Sequence, residues 1–190
     1  MRRLPRNYVF IVTIAGVLTL ARFSEAFLVL RAQNVGFSTT MAPLVMVAMS
    51  VIYAATAYPA GAAADRGHGA RLLSFGLLAL VVSDLVLAHA ASPAMALAGA
   101  ALWGLHMGLT QGLLSALVAA AAPADLRGTA FGVFNLASGI ALLAASTLAG
   151  YLWQAIGPAA TFLSGAVFTA IAWAALAWHA RAVPRLDGGR

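Results

Sequence analysis

Four ionisable side chains stand inside otherwise apolar stretches of this chain: Arg22, Glu25, Asp84 and His106. A charge at the centre of a hydrocarbon layer costs about 2.5–3.5 kcal/mol on insertion scales, so such residues face a bundle interior and mark function by default. Arg22 and Glu25 are three positions apart, which sets them on one helix face and lets them pair. Thr19 extends that face by a turn. The pair reads as a structural ion pair that fixes helix packing, or as a cavity wall where the arginine suits an anion and the carboxylate a cation or a proton. Asp84 has no partner in its own segment and is either protonated or paired with another helix. Trp103, His106 and Thr110 share a face further along, with Gln111 beside them. They form either a ligand wall or a set of interhelical hydrogen bonds. Gly104, Gly108, Gly112 and Ala116 recur every four residues on the same segment, a small-residue face that lets another backbone approach closely.

Enzyme chemistry finds no constellation. The chain has no cysteine, which excludes a thiol nucleophile, a disulfide frame and iron–sulfur ligation. There is no H-E-x-x-H, no Ser-His-Asp set at a shared depth, and Gly99-x-x-x-x-Gly104 lacks the lysine of a phosphate loop. His106 and Glu25 are the one interior pair that could combine around a metal, too few for a site. No enzyme activity, metal or cofactor is expected; coupling to a proton or another ion stays open.

The elements that must position these residues follow from composition. Of 190 residues, 63% are hydrophobic and 8% charged, against about 25% charged in an ordinary soluble domain. Mean hydropathy is +0.93. This is the composition of an integral membrane protein. The net charge of +6 does not point to nucleic acid, because the arginines are spread a few at a time between apolar runs. A helix needs about 20 apolar residues to cross the hydrocarbon, and six segments qualify: 8–30, 39–62, 72–90, 94–122, 128–153 and 159–179. Asn34, Gly36 and Ser38 break the chain after the first, Asp65-Arg66-Gly67-His68-Gly69 after the second, and Pro123-Ala124-Asp125 after the fourth. Ser92-Pro93 and Gly157-Pro158 place proline in a helix's first turn, where its missing N–H costs nothing. The fourth and fifth segments are long enough to require tilt or projection.

With six spans the termini share a side with Arg66, Arg71 and Arg127, while Arg31 stands alone opposite. The positive-inside rule makes both termini cytoplasmic. The expected organisation is a cytoplasmic N-terminus over 1–7, a six-helix bundle over 8–180 and a cytoplasmic tail over 181–190. The basic start and apolar run also fit a signal peptide, but no clean small-x-small site follows, and cleavage would spoil the charge asymmetry.

Gly61-Ala62-Ala63-Ala64-Asp65-Arg66-Gly67-His68-Gly69-Ala70-Arg71 resembles G-x-x-x-D-R-x-G-R-R, a signature of the major facilitator superfamily after the second helix of each six-helix half. Gly61, Asp65, Arg66, Gly69 and Arg71 match; Ala70 replaces a basic residue. The stretch from Pro123 through Arg127-Gly128-Thr129 and Gly132 to Gly157-Pro158 is similar to the fifth helix of the C-terminal half of bacterial members. Ser24-Glu25-Ala26-Phe27-Leu28 resembles the first helix of such halves. Members of this family have twelve helices in two halves, and the resemblance covers one.

The resemblance implies an all-α membrane fold, one six-helix half built as a 3+3 inverted repeat, that transports a small molecule or ion by alternating access as a homodimer. The first and fourth helices would line the path, placing Arg22, Glu25, Trp103, His106, Thr110 and Gln111 there. The second and fifth would form the seam between copies, with Gly132, Gly139 and Ser146 along one side of the fifth. Gly61, Asp65, Arg66, Gly69 and Arg71, with Arg127 and Gly128 of the partner copy, would form a cytoplasmic gate, and Asp84 would be scaffold. The implied partners are a solute, the lipid bilayer and a second copy, with no nucleic acid, in a bacterial inner membrane. The alternatives are a heteromer with a separately encoded half, or a non-transporting assembly or regulatory subunit.

Overall fold

A computed structural model describes the backbone over residues 5–182 and, within it, all side chains but those of 6, 7, 10, 11, 14 and 175–182. Arg2, Arg3, Arg185 and Arg190 lie outside the described residues, as do most of the expected N-terminal segment and tail. The described residues form helices and no strand: α1 (Arg6–Leu20), α2 (Ala26–Asn34), α3 (Leu44–Ala63), α4 (Gly69–Ala88), α5 (Pro93–Ala121), α6 (Arg127–Ala155) and α7 (Pro158–Ala182).

Among the described residues, three helical stretches are long and apolar enough to cross a membrane: Leu44–Ala88, Pro93–Ala121 and Ala124–Ala155. The first is two arms. A π-turn over Ala64–His68 joins α3 to α4, and Gly67 within it takes φ 87°, a left-handed conformation that glycine adopts without penalty. The other junctions use the punctuation read above. Ser92 caps α5, its hydroxyl accepting from the Met95 N–H, with Pro93 at the first position. Gly157 closes α6 at φ 133° and donates its N–H to the Leu152 carbonyl, the glycine C-terminus of a helix.

One expectation fails. The segment 8–30 is not a continuous helix: it stops at Leu20, runs through Ala21–Glu25 without helical structure, and resumes at Ala26. Arg22 and Glu25 therefore do not stand three apart on one helix face. Both lie in the break.

α5 is the axis of the packing. α3 lies along one side and α4 along the other, and α4 also carries α7, while α6 packs on α1 and α7. The small-residue face of α5 makes the α3 contact possible. A Cβ on Gly104 would collide with the Met49 backbone carbonyl, and one on Gly108 with the Thr56 hydroxyl. Outward, α6 leaves Leu136, Ile140 and Leu143 exposed, a face at home in lipid. Arg31 is buried and closes α4: its guanidinium donates to the carbonyls of Leu87 (2.8 Å), Ala88 (3.0 Å) and Ala90 (2.9 Å) and to Asn34. A cation at a helix C-terminus satisfies orphan carbonyls and complements the dipole.

Gly104→Leu should lower stability by about 1–3 kcal/mol through overpacking against a backbone. Gly112→Ala, with nothing within 4 Å of its Cβ position, should stay within about 0.5 kcal/mol of the parent. Thermal unfolding in detergent checks both.

Candidate functional site

The break between α1 and α2 contains Arg22, Phe23, Ser24 and Glu25, and each is held differently. Helix interruption frees backbone groups, which in a membrane interior must find partners in the protein. The Ser24 N–H donates to the Ser146 hydroxyl of α6 (3.0 Å), and the Ser24 hydroxyl accepts from the Ala26 N–H (3.3 Å). Ser146, expected on a seam facing another copy, thus points to the break, whereas Gly132 and Gly139 have open space at their Cβ positions. Phe23 is a plug. Its ring packs on Phe27 (centroids 5.4 Å), Trp103 (5.3 Å) and Phe162 (5.4 Å).

Arg22 faces the other way. It lines a cavity of about 280 Å³ with Thr19, Gln111, Leu114, Ser115, Phe134, Ser138, Gly139 and Leu142, between α1, α5 and α6. It also lines a water-sized cavity of about 20 Å³ with Thr19, His106 and Thr110. Among the described residues its Nε and the Ser138 hydroxyl are buried without hydrogen-bond partners. In the water-sized cavity the His106 Nδ1 contacts the Gly76 carbonyl at 2.8 Å. A carbonyl only accepts, so that nitrogen carries the hydrogen and Nε2 of the neutral ring is a lone-pair acceptor. Nε2 too is buried and unpartnered.

The structure thus brings Arg22, His106, Thr110 and Gln111 to two adjoining cavities. Thr110 spends its hydroxyl on the His106 carbonyl (2.8 Å). Glu25 is half-buried in the break and lines neither cavity, and Trp103 is fully buried among the aromatic rings. Ser115 and Ser138 were missed in the sequence, because a serine in an apolar helix gives no sign of which neighbour it meets. Asp84 lines neither cavity and is fully buried, with both carboxyl oxygens unpartnered among the described residues. It packs where α7 comes close. A Cβ on Gly165 would lie 2.7 Å from Asp84 Oδ2 and 3.0 Å from the Phe23 ring. Among the gate residues, Asp65 and Arg66 are exposed in the α3–α4 turn with Gly61 and Arg71 nearby in sequence, and Gly69 rests against Leu113. Arg127 and Gly128 are exposed at the start of α6.

The family model of the Major Facilitator Superfamily matches residues 8–189. The chain belongs to the major facilitator superfamily. A similar curated relative is an uncharacterized MFS-type transporter of the archaeon Methanocaldococcus jannaschii, 31% identical over 177 residues, or 90% of this chain and 44% of the relative. The chain therefore spans less than half the length of that relative. Membership in the facilitator superfamily, with apolar helices, marks a multi-pass membrane protein.

The Asp84–Gly165–Phe23 contact generates a prediction about the facilitator core. Gly165→Ala should cost about 1–3 kcal/mol, because the aspartate and the ring must shift. In an Asp84→Ala background the same change should cost distinctly less. Additive effects in a double-mutant cycle, read by thermal unfolding, would contradict the contact.

Proposed function

We propose that this chain acts as one half of a facilitator transporter, moving a small solute across the cell membrane by alternating access as a homodimer. In this reading 8–30, broken at its centre, is the first of six spans, and both termini are cytoplasmic, in an inner membrane if the host is bacterial. The observation that carries it is the interrupted first helix with Arg22 turned into a cavity between α1, α5 and α6. Broken helices at the membrane midplane are where transporters hold solutes and ions, since irregular backbone there survives only beside a cavity or within protein. The open Cβ positions of Gly132 and Gly139 on α6 suit close approach by a second copy, and a two-fold pair would bury the same patch on both.

The path residues are Arg22, His106, Thr110 and Gln111, with Glu25 as the proton- or cation-coupling group and Trp103 behind them. Asp65 is the gate latch. A carboxylate is favoured beside a helix N-terminus, and across the pair the partner copy's α6 start, at Arg127 and Gly128, would supply one.

Liposomes containing the purified chain, loaded from a pooled small-solute library and read by mass spectrometry, should accumulate a solute. Single cysteines at 132 and 139 in this cysteine-free chain should crosslink copy to copy. Asp65→Asn should slow uptake severalfold while leaving solute affinity within about twofold, because a latch worth about 1 kcal/mol acts on the conformational equilibrium. Uptake by a strictly monomeric protein would sink the homodimer, and uptake that needs a second polypeptide would establish the heteromer. Failure to accumulate any solute would favour an assembly or regulatory role. A Glu25→Gln variant whose uptake keeps its pH dependence would leave Glu25 without the coupling role.

A further inference from the structure

We infer that the solute held at the break is a small organic acid, with an oxyanion head on Arg22 and an apolar body against Leu114, Phe134 and Leu142. This rests on the cavity of about 280 Å³ being the solute site proposed above, and names what that site accepts.

The chemistry of the lining carries it. A buried guanidinium is costly unless it is paired and hydrogen-bonded. Among the described residues Arg22 Nε is buried with no hydrogen-bond partner, and the guanidinium donates no hydrogen bond to protein. Glu25, the nearest acid in sequence, attracts the guanidinium but lines neither cavity, so no carboxylate answers the charge from the cavity wall. The other polar groups around it are Thr19, Gln111, Ser115 and Ser138, all able to donate, and none is acidic. Ser138 is itself buried and unpartnered. Thr19 spends its own hydrogen on the Ala15 carbonyl (2.7 Å), which leaves Arg22, Gln111, Ser115 and Ser138 as donors, with Arg22 Nε and the Ser138 hydroxyl the buried ones. A planar guanidinium fork matches a carboxylate bidentately. A cationic solute would meet a like charge with no carboxylate in the cavity wall to offset it.

The remainder of the wall is apolar. Leu114, Phe134 and Leu142 come from α5 and α6 and line the cavity beside the polar groups. An inorganic anion would leave that surface against water, whereas an acid with a short apolar body covers it. The volume sits at the lower end of small-molecule sites, which limits the body to roughly a single ring or a short chain.

Three probes of one body and different heads test this on the purified full chain: benzoate, benzyl alcohol and benzylamine, with inorganic phosphate as a head without a body. Binding is read by thermal shift and by tryptophan fluorescence. Benzoate should bind, and the alcohol, the amine and phosphate should bind at least about tenfold more weakly, the loss expected when one charge-assisted hydrogen-bonded pair is missing. Arg22→Gln should weaken benzoate by about tenfold or more, and Arg22→Lys should retain part of the affinity. Should Arg22→Gln fail to fold, Leu142→Trp, which fills the cavity and leaves the charge in place, should abolish benzoate binding. Equal binding of the amine or alcohol overturns the inference. So does benzoate affinity that survives Arg22→Gln or Leu142→Trp, or no benzoate binding at millimolar concentration. Phosphate binding as tightly as benzoate overturns the apolar-body half. Arg22-dependent benzoate binding without uptake into liposomes would sink the transport reading and leave this one standing. Uptake of amines unaffected by Arg22→Gln would do the reverse.

Discussion

A helix that stops inside a membrane must have its freed backbone groups answered by protein. That constraint governs the break at Ala21–Glu25, and much of the fold answers it. The Ser24 N–H needs an acceptor and finds Ser146, which draws α6 against α1. Phe23, no longer on a continuous helix face, turns into a cluster with Phe27, Trp103 and Phe162 and ties the break to α5 and α7. The same turn swings Arg22 to the opposite side, into the space left between α1, α5 and α6. One interruption thus produces an aromatic anchor on one side and a charged cavity on the other.

Helix bounds were largely legible, because proline, glycine and serine act locally. Ser92-Pro93, Gly67 and Gly157 do in the fold what their backbone chemistry dictates. The close-approach face of α5 was legible too, since Gly104 and Gly108 at a four-residue spacing leave room for little but another backbone. The break was not. Ala21-Arg22-Phe23-Ser24-Glu25 contains neither proline nor glycine, and its local propensity does not forbid a helix. Its cause is tertiary: a hydroxyl 122 positions away and a pocket of rings. Periodicity says which residues share a face and leaves unsaid what that face meets. For that reason Trp103, which read as ligand wall, belongs to the aromatic core, while Ser115 and Ser138 line the cavity unannounced.

The buried ionisable groups divide by how they are answered. Arg31 is fully used, capping α4 through three carbonyls, and is structural. Asp84 is enclosed under Gly165 without hydrogen-bond partners among the described residues, and it lines neither cavity. Arg22 and His106 adjoin space, and each keeps a buried nitrogen unpartnered. In a bundle with so few charges, unused hydrogen-bonding capacity beside a cavity separates a site from a strut. Under the proposed transport function, the solute sits at these two residues.

Water access at the break tests this account most directly. The chain lacks cysteine, so single cysteines introduced from 18 to 26 can be probed in lipid vesicles with a membrane-impermeant thiol reagent. Positions 19 and 22 should react, since both line the cavity, and 21 and 23, buried in the packing, should not. A uniformly unreactive stretch, or reactivity rising smoothly toward one end as in a continuous helix leaving the membrane, would contradict a buried break that opens onto a cavity.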